Sequence, residues 1–285
     1  MGNPLAVDIT NSDGTSTVVH QFGNTESVKA SIIVWPALGV KASYYETLAN
    51  ELHSRGFLVF TADLRGNGKS SIRPSRKVNF GYADVLDQEF TSVVQHVAKT
   101  FPDKKILLFG HSIGGQLSCL FASRKTVKID GLILSGTCSV YYKGWNGFSA
   151  YRILALTQFI NLVSKLTGYF PGKKLGFGGT EARGLMADWS KQARTGRYEI
   201  DNDSYNYEKE LRLIKLPILS ISYEGDEMAP KGAVEHLLNK LSLAKKEHIH
   251  LLRGDSRNES FSHFNWVKKP KNIVEIVDNW VAGIQ

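Results

Sequence analysis

The residues best suited to chemistry lie in the pentapeptide Gly110-His111-Ser112-Ile113-Gly114. It follows the apolar run 106–109, which is typical of a buried strand, and precedes 116–122, whose apolar residues have helical spacing. A serine at such a junction lies on a tight turn that lifts its hydroxyl above a sheet, and the flanking glycines leave room for the neighbouring backbone. The pattern predicts a nucleophilic serine. The alternative is a glycine-rich turn in which Ser112 only caps the helix.

A nucleophilic serine needs an orienting acid and a histidine base, and proteins with this kind of turn supply them later in the chain, in that order. The next buried strand that ends in charged residues is 217–223, and Glu224-Gly225-Asp226-Glu227 follows it. We favour Asp226, because a short carboxylate directly after glycine can turn back over the sheet. Glu224 and Glu227 stay open as alternatives, and a solvated loop acid is the ordinary role for each of the three.

Four histidines follow the acid: His236, His248, His250 and His263. His236 lies on the flank of an amphipathic helical pattern, whereas His248 and His250 alternate with apolar residues as in a strand. Their His-x-His spacing could suit a metal, but no third ligand is nearby, so no metal site is predicted. His263 follows the polar loop 254–260 and precedes the last helix. We predict that His263 is the base; the alternative is an ordinary surface histidine.

The elements that must position these residues alternate along the chain. Buried strands are predicted at 31–35, 57–62 and 131–135, with helical patterns between them. This alternation predicts an α/β fold with a mostly parallel twisted sheet, flanked by helices and connected by right-handed crossovers. Ahead of it, two short strands flank Asn11-Ser12-Asp13-Gly14, which predicts an N-terminal hairpin.

The alternation stops between Ser139 and Leu216, over a stretch too long for an ordinary connection. We expect residues 1–138 and 217–285 to form the core and residues 139–216 to form a cap, or lid, inserted over the site. The alternative is a set of extra core helices without a role in binding. Aromatic candidates for the pocket lining, or for plain packing, are Tyr142, Trp145, Phe148 and Trp189.

Length and composition exclude several classes. The chain has 285 residues, of which 42% are hydrophobic, enough for one large core with a modest insert. No apolar run reaches the length of a membrane span, and the first residues lack the pattern of a secretory signal. The two cysteines, Cys119 and Cys138, have apolar surroundings typical of buried free thiols. We therefore expect a cytoplasmic location.

The net charge of +8 raises the question of nucleic acid. The basic residues are scattered, and short clusters such as 268–271 lack interleaved aromatics, so no nucleic-acid partner is predicted. Contact with anionic lipid surfaces is a weaker expectation. Gly68-Lys69-Ser70 spells the end of a phosphate-binding loop, but Asp63 occupies the position where that motif needs glycine.

Over nearly its whole length the chain resembles the α/β-hydrolase superfamily, and within it the branch that includes monoacylglycerol lipases and predicted bacterial hydrolases. The resemblance is carried by Asp63-Leu64-Arg65-Gly66-Asn67-Gly68-Lys69-Ser70, by the serine turn 110–115, by Asp226-Glu227-Met228-Ala229-Pro230 and by His263-Phe264. It implies a catalytic triad of Ser112, Asp226 and His263 that needs neither a metal nor an organic cofactor.

The resemblance also implies an oxyanion hole made by the backbone N–H groups of Leu38 and Ile113. Many members place His-Gly after the first core strand, whereas this chain has Trp35-Pro36-Ala37-Leu38-Gly39. Because the donor is a backbone group, the side chain at this position is free to vary.

Three hypotheses about function follow. The first is a serine hydrolase that cleaves small-molecule carboxylic esters of apolar acyl groups through an acyl-enzyme. The second is a thioesterase, amidase, peptidase or acyltransferase that uses the same triad. The third is a non-catalytic binding protein, which is disfavoured because no triad residue is missing. The acyl chain length and the oligomeric state stay open.

Overall fold

The computed structural model describes residues 4–24, 28–201, 203–252, 254 and 261–284. The polar loop predicted ahead of His263 lies, apart from Gly254, outside the described residues. The strands are β1 (Leu5–Thr10), β2 (Ser16–Phe22), β3 (Ser31–Trp35), β4 (Leu58–Ala62), β5 (Ile106–His111), β6 (Gly131–Ser135), β7 (Tyr169–Pro171), β8 (Thr180–Ala182), β9 (Pro217–Tyr223) and β10 (Lys245–Leu251).

The helices are α1 (Glu46–Ser54), α2 (Tyr82–Val85), α3 (Thr91–Thr100), α4 (Ile113–Arg124), α5 (Phe148–Thr167), α6 (Gly172–Leu175), α7 (Arg183–Thr195), α8 (Tyr207–Arg212), α9 (Lys231–Lys240), α10 (Asn265–Lys268) and α11 (Lys271–Gly283). Short 3₁₀ turns lie at Ala42–Tyr45 and Tyr142–Gly144. A π-helical turn, Leu86–Phe90, joins α2 to α3 without a break. None of the helices in the described ranges is both long and apolar enough to cross a bilayer.

The described strands other than β7 and β8 form one eight-stranded sheet in the order β1-β2-β4-β3-β5-β6-β9-β10. The hairpin β1–β2 is antiparallel and joins β4 antiparallel, whereas every pair from β4 to β10 is parallel. The α/β fold class and the N-terminal hairpin predicted from the sequence are therefore confirmed. Because parallel strands end at the same edge, the residues after β5, β6, β9 and β10 share one rim of the sheet.

Both faces of the central sheet are covered, which explains why its strands read as continuous apolar runs. Successive residues of β3 point to opposite sides: Ile33 and Trp35 pack with helices α3, α4 and α9, and Ile32 and Val34 pack with α1 and α11. Cys119 and Cys138 are buried and unpaired, as expected.

Between β6 and β9 the chain leaves the sheet. This segment, residues 139–216, contains helices α5 to α8 and a second, two-stranded sheet in which β7 and β8 pair antiparallel. Helix α5 packs against α7, and Gln158 Nε2 donates a hydrogen bond to Ser190 O across that contact (3.1 Å). The small sheet could not be predicted from the sequence, since three-residue strands have no readable alternation.

A buried ion pair ties the N-terminal hairpin to the helical layer. Glu89, in the π-helical turn, is fully buried, and its Oε1 accepts hydrogen bonds from Arg65 (2.9 Å) and from Asn11 in the hairpin turn (3.0 Å). Arg65 also pairs with Asp13 of the same turn. Burial raises the pKa of Glu89 to about 7, and the charge of Arg65 opposes that shift.

Removing Arg65 should therefore destabilise the protein. Arg65→Ala leaves the Glu89 carboxylate without its charge partner, which typically costs about 3–5 kcal/mol of unfolding free energy. The raised pKa means that folded Glu89 is protonated between about pH 4.5 and 7 while the unfolded chain is ionised, so stability falls as the pH rises through that window. The loss caused by Arg65→Ala should accordingly be larger at pH 7 than at pH 5, as measured by urea denaturation.

The matched control is Arg197→Ala, which removes a surface pair with Glu199 and should cost less than about 1 kcal/mol. The double variant Arg65→Met/Glu89→Leu removes both charges and should recover part of the loss. Equal losses for Arg65→Ala and Arg197→Ala would contradict the importance of the buried pair.

Candidate active site

Ser112 stands between β5 and α4 with backbone angles of φ 55° and ψ −120°. This region is disfavoured for residues with a side chain. A Cβ on Gly110 would lie 2.2 Å from the Gly115 Cα, and one on Gly114 would lie 2.4 Å from the Trp35 carbonyl oxygen. The turn is thus closed so tightly that the two flanking positions must be glycine, as the sequence pattern indicated.

Asp226 and His263 are brought together from separate elements. Asp226 follows β9, His263 lies between β10 and α10, and their Oδ2 and Nδ1 atoms are 2.8 Å apart. Both residues are buried. The other carboxylate oxygen, Oδ1, accepts the backbone N–H groups of Met228 and Ala229 at 2.9 Å each. The carboxylate is therefore fixed in place, and it binds Nδ1 of the imidazole so that Nε2 is the nitrogen left for proton exchange.

The competing histidines have other partners. His248 Nε2 and His250 Nδ1 each lie 2.8 Å from the Ser222 hydroxyl, and His236 Nδ1 lies 2.7 Å from the Ser139 hydroxyl. In the part of the chain that the structure describes, no cluster of three His, Cys, Asp or Glu residues could hold a metal. Of the three acids after β9, it is the Asp226 carboxylate that bonds to His263.

The His263 ring packs near the ring of His111. The rings of His111 and His263 have centroids 4.9 Å apart, and His111 directly precedes Ser112 in the chain. Within the described residues no hydrogen bond links the Ser112 hydroxyl to His263, an arrangement common in free enzymes, where this bond tightens on substrate binding. The three predicted triad residues thus share one rim of the sheet, with the acid and the base already paired.

Tyr45 contributes a contact that the sequence did not reveal. Its buried hydroxyl accepts the Ala37 N–H (2.9 Å) and lies 2.7 Å from His111 Nδ1. Burial, together with the neighbouring His263, holds the pKa of His111 well below its usual range, so this ring stays neutral beside the pair. From the sequence, Tyr45 had only the place of an apolar residue on a helical stripe, and no motif distinguished it.

The predicted oxyanion donors lie in adjoining segments. The Val40 N–H donates to the Ala37 carbonyl (3.1 Å), which closes a turn with Leu38 and Gly39 at its centre. The residues that enter this turn pack against the start of α4, since the Trp35 carbonyl touches the Gly114 backbone. Ile113 is the first residue of α4, where N–H groups have no partner within the helix. The hydrogen bond of either donor to an oxyanion stays a prediction.

Asp63 braces its own turn, residues 63–70, and joins it to Ala42, which follows the Leu38 turn. Its buried carboxylate accepts the N–H of Ala42 through Oδ1 and the N–H of Lys69 through Oδ2, both at 2.7 Å. A Cβ on Gly68 would lie 2.0 Å from that carboxylate, which explains the fixed spacing of Asp63 and Gly68 in the motif. The motif residues are therefore structural supports of the site, and the resemblance to a phosphate-binding loop is coincidental.

Two cavities need to be distinguished. One of about 440 Å³, lined by Gly39, Lys41, Ser43, Tyr44 and Phe264 among others, opens between the Leu38 turn and the residue after His263. Another of about 500 Å³ is lined by residues that include Pro217 and Lys245, the first residues of β9 and β10. The second cavity therefore lies at the rim opposite to Ser112, whereas the first adjoins the candidate site.

Curated proteins are similar to part of this sequence. The monoglyceride lipase of Mus musculus is 29% identical over 126 residues, which are 44% of this chain and 41% of that protein. Protein phosphatase methylesterase 1 of Schizosaccharomyces pombe is 34% identical over 91 residues, 31% of this chain and 25% of that protein. The chain thus spans less than half the length of these relatives.

Solved structures share the whole fold. An esterase from Exiguobacterium antarcticum has a TM-score of 0.63 at 15% identity and covers 98% of this chain and 100% of its own. A thermophilic esterase from Thermogutta terrifontis has a TM-score of 0.65 at 15% identity, with coverage of 98% and 99%. These likenesses confirm the α/β-hydrolase fold. The sequence profile of the family Hydrolase_4, described as Serine aminopeptidase, S33, matches residues 26–254. The match covers well over half of the chain, and the protein is therefore a member of this α/β-hydrolase family.

Proposed function

We propose that the protein is a serine hydrolase that cleaves carboxylic esters of apolar acyl groups, with Ser112 as nucleophile, His263 as base and Asp226 as orienting acid. The observation that carries the proposal is the hydrogen bond between His263 Nδ1 and Asp226 Oδ2, 2.8 Å long and buried at the rim that holds Ser112. An acid–histidine pair held beside a serine on a constrained turn is the arrangement that activates a hydroxyl.

In the acylation step, the Ser112 Oγ bonds to the acyl carbon while His263 Nε2 takes its proton. The carbonyl oxygen becomes an oxyanion, which the N–H groups of Leu38 and Ile113 stabilise; losing one such donor typically costs on the order of 3 kcal/mol. The bond to the alcohol then breaks, and the alcohol leaves with the proton from His263. Asp226 keeps the imidazole in the tautomer with Nε2 facing the serine and stabilises its charged form.

Deacylation repeats these steps with water. His263 takes a proton from the attacking water, the second tetrahedral oxyanion occupies the same two N–H groups, and the acid is released as the Ser112 hydroxyl regains its proton. This chain needs no further group for the sequence of steps.

Residues 139–216 would act as the cap over this site. Of the aromatic candidates, Trp145 and Trp189 are buried in the core cluster, whereas Phe148 is 78% exposed at the start of α5. The 440 Å³ cavity beside Phe264 exposes more apolar than polar surface, with Val40, Tyr44 and Phe264 in its lining, which supports an apolar part of the substrate.

A second candidate is amide hydrolysis, which the family description, a serine aminopeptidase, favours. Thioester cleavage and acyl transfer use the same nucleophile and oxyanion hole. A matched series of p-nitrophenyl esters, acyl thioesters and aminoacyl p-nitroanilides of increasing acyl length, compared by kcat/KM, separates these reactions and gives the preferred chain length.

The nucleophile can be tested by covalent labelling. A fluorophosphonate should modify Ser112 stoichiometrically, because the probe reacts only with an activated serine, and mass spectrometry of the digested protein should locate the adduct. Ser112→Ala should remove labelling completely. Ser222, a buried serine with two histidine partners, is the matched control, and Ser222→Ala should keep the label on Ser112. An adduct on another serine, or none on a folded protein, would reject the proposed nucleophile.

The base can be tested by comparing two histidines. His263→Ala should lower kcat for a p-nitrophenyl ester at least about 10³-fold, since both proton transfers are lost. His248→Ala removes an imidazole that bonds to Ser222 instead, and it should leave kcat within about threefold of the original protein. The reverse order of effects would show that His263 is not the base.

We also propose that the protein docks on anionic lipid surfaces through α5. Six large apolar side chains of this helix are exposed. All except Leu156 follow one another at intervals of three, four or eight residues, which places those five on one stripe. They are Phe148, Tyr151, Leu156, Phe159, Leu162 and Leu166. Residues 140–180 carry five basic side chains and no acidic one, which supports an anionic partner. An apolar stripe with basic flanks is typical of helices that lie in a membrane interface.

Negative charge introduced on this stripe should strongly weaken binding to anionic vesicles. Phe159→Asp/Leu166→Asp should weaken co-sedimentation with phosphatidylglycerol vesicles at least tenfold, since buried apolar area is lost and negative charge is added. Leu243→Asp is the matched control, because Leu243 is similarly exposed (54%) but lies after α9, and it should bind like the original protein. Equal binding to phosphatidylcholine vesicles, or a stable dimer that the double variant dissociates, would count against an anionic lipid partner.

A further inference from the structure

Glu181 is a buried carboxylate that the proposed reaction does not use. It lies in β8, opposite Phe170 of β7, and is 1% exposed. No ion pair shorter than 4.0 Å involves it in the described part of the chain. Its Oε1 accepts the Gly179 N–H (2.9 Å), and the side chain of Asn67 is near enough to favour its ionised form. Burying an acid at such a place is unfavourable, so its contacts need an explanation.

Those contacts join the 139–216 segment to the core. Asn67 belongs to the turn that Asp63 braces, and Gly179 belongs to the loop ahead of β8. A Cβ on Gly179 would meet all three partners, Glu181 Oε1 at 2.6 Å, Asn67 Oδ1 at 3.0 Å and Gly39 Cα at 3.1 Å. The carboxylate therefore fixes the Gly179 backbone at the point where it meets Gly39.

Gly39 is the residue directly after the proposed donor Leu38. Its φ is +71°, and a Cβ there would lie 2.1 Å from the Gly179 nitrogen and 2.5 Å from the Gly178 carbonyl carbon. The Leu38 side chain also lies against Gly178. The loop that Glu181 holds is thus the roof of the Leu38 turn, with no space between the two backbones.

We propose that Glu181 is a positioning residue for the oxyanion hole: by holding the Gly178–Gly179 backbone on Gly39, it sets the position of the Leu38 N–H. This rests on the proposed function. An oxyanion donor acts only when it points at the atom that gains charge, and a displacement of about 1 Å can cost about 100-fold in rate. Glu181 itself touches no substrate.

The ionisation of Glu181 suits a hydrogen-bonding role. Burial raises the pKa of Glu181 to about 7. The hydrogen bond from the Gly179 N–H, the side chain of Asn67 and the charge of Lys173 each lower the pKa and so oppose this shift. A neutral amide of the same shape can therefore accept the Gly179 N–H in its place. Aspartate keeps the charge but is one methylene shorter, so it cannot reach.

The test compares three variants on a small ester, p-nitrophenyl acetate, which needs little contact with the 139–216 segment. Glu181→Ala should lower kcat between about tenfold and 100-fold with KM within twofold, because the lost interaction acts in the transition state. Glu181→Gln should stay within about threefold of the original protein, and Glu181→Asp should resemble Glu181→Ala. A trifluoromethyl ketone inhibitor forms an oxyanion when the serine adds to it, so its affinity should fall across the variants in parallel with kcat.

Glu199→Ala is the control, since Glu199 is an exposed glutamate of the same segment paired with Arg197. Thermal unfolding of each variant shows that it is folded at the assay temperature. If Glu181→Ala does not fold, the comparison of the other two variants decides the question: kcat of Glu181→Gln should exceed kcat of Glu181→Asp. The proposal would be overturned if Glu181→Ala raised KM and left kcat unchanged, or if Glu181→Gln and Glu181→Asp had equal kcat. Failure of the proposed function is separate, because the original protein would then neither react with fluorophosphonate nor turn over the ester.

Discussion

The backbone of Ser112 is the constraint on which the site depends. A non-glycine residue held at φ 55° costs roughly 1–3 kcal/mol, and the surrounding packing must supply that free energy. It does so through close backbone contacts, since Gly110 packs on Gly115 and Gly114 packs on the Trp35 carbonyl, with no room for a Cβ at either glycine. The same contact sets the approach of the chain that enters the Leu38 turn. The position of the serine and that of its proposed oxyanion donor are therefore determined together.

The charges around that turn are compensated by groups of the protein. The Asp226 carboxylate has three hydrogen bonds, from Met228, Ala229 and His263, so its charge is compensated without solvent. Burial, with the nearby Asp226 charge, raises the pKa of the Cys138 thiol well above its usual range. Cys138 is thus protonated and His111 is a weaker base than an ordinary histidine, so neither is suited to take the proton that we propose His263 removes from Ser112.

The sequence predicted those parts of the molecule in which one signal dominates. Buried strands such as 31–35 and 131–135 match their observed bounds, because residues covered on both faces are apolar throughout. The serine turn was readable because its steric demands select glycine. The contact of Tyr45 with His111, that of Glu89 with Arg65 and that of Gly179 with Gly39 could not be predicted, since each joins residues far apart in the chain and no local pattern records the partner. The roles of Ser112, Asp226, His263, Leu38 and Ile113, the cap and the cytoplasmic location stay predictions.

The 139–216 segment contacts the core both ahead of its small sheet and within it. Arg76 donates to the Thr167 carbonyl at the end of α5 (3.2 Å), and Gly179, in the loop between β7 and β8, meets Asn67 and Gly39. Only Gly168 separates α5 from β7. The helix proposed to meet lipid and the loop proposed to hold the Leu38 turn are therefore one continuous piece of chain whose fixed points lie on the core. Further hydrogen bonds tie α7 to the core, such as that from the Tyr82 N–H to Asp188 Oδ2 (2.8 Å). The position of the proposed oxyanion donor therefore depends on how the proposed cap is attached to the core.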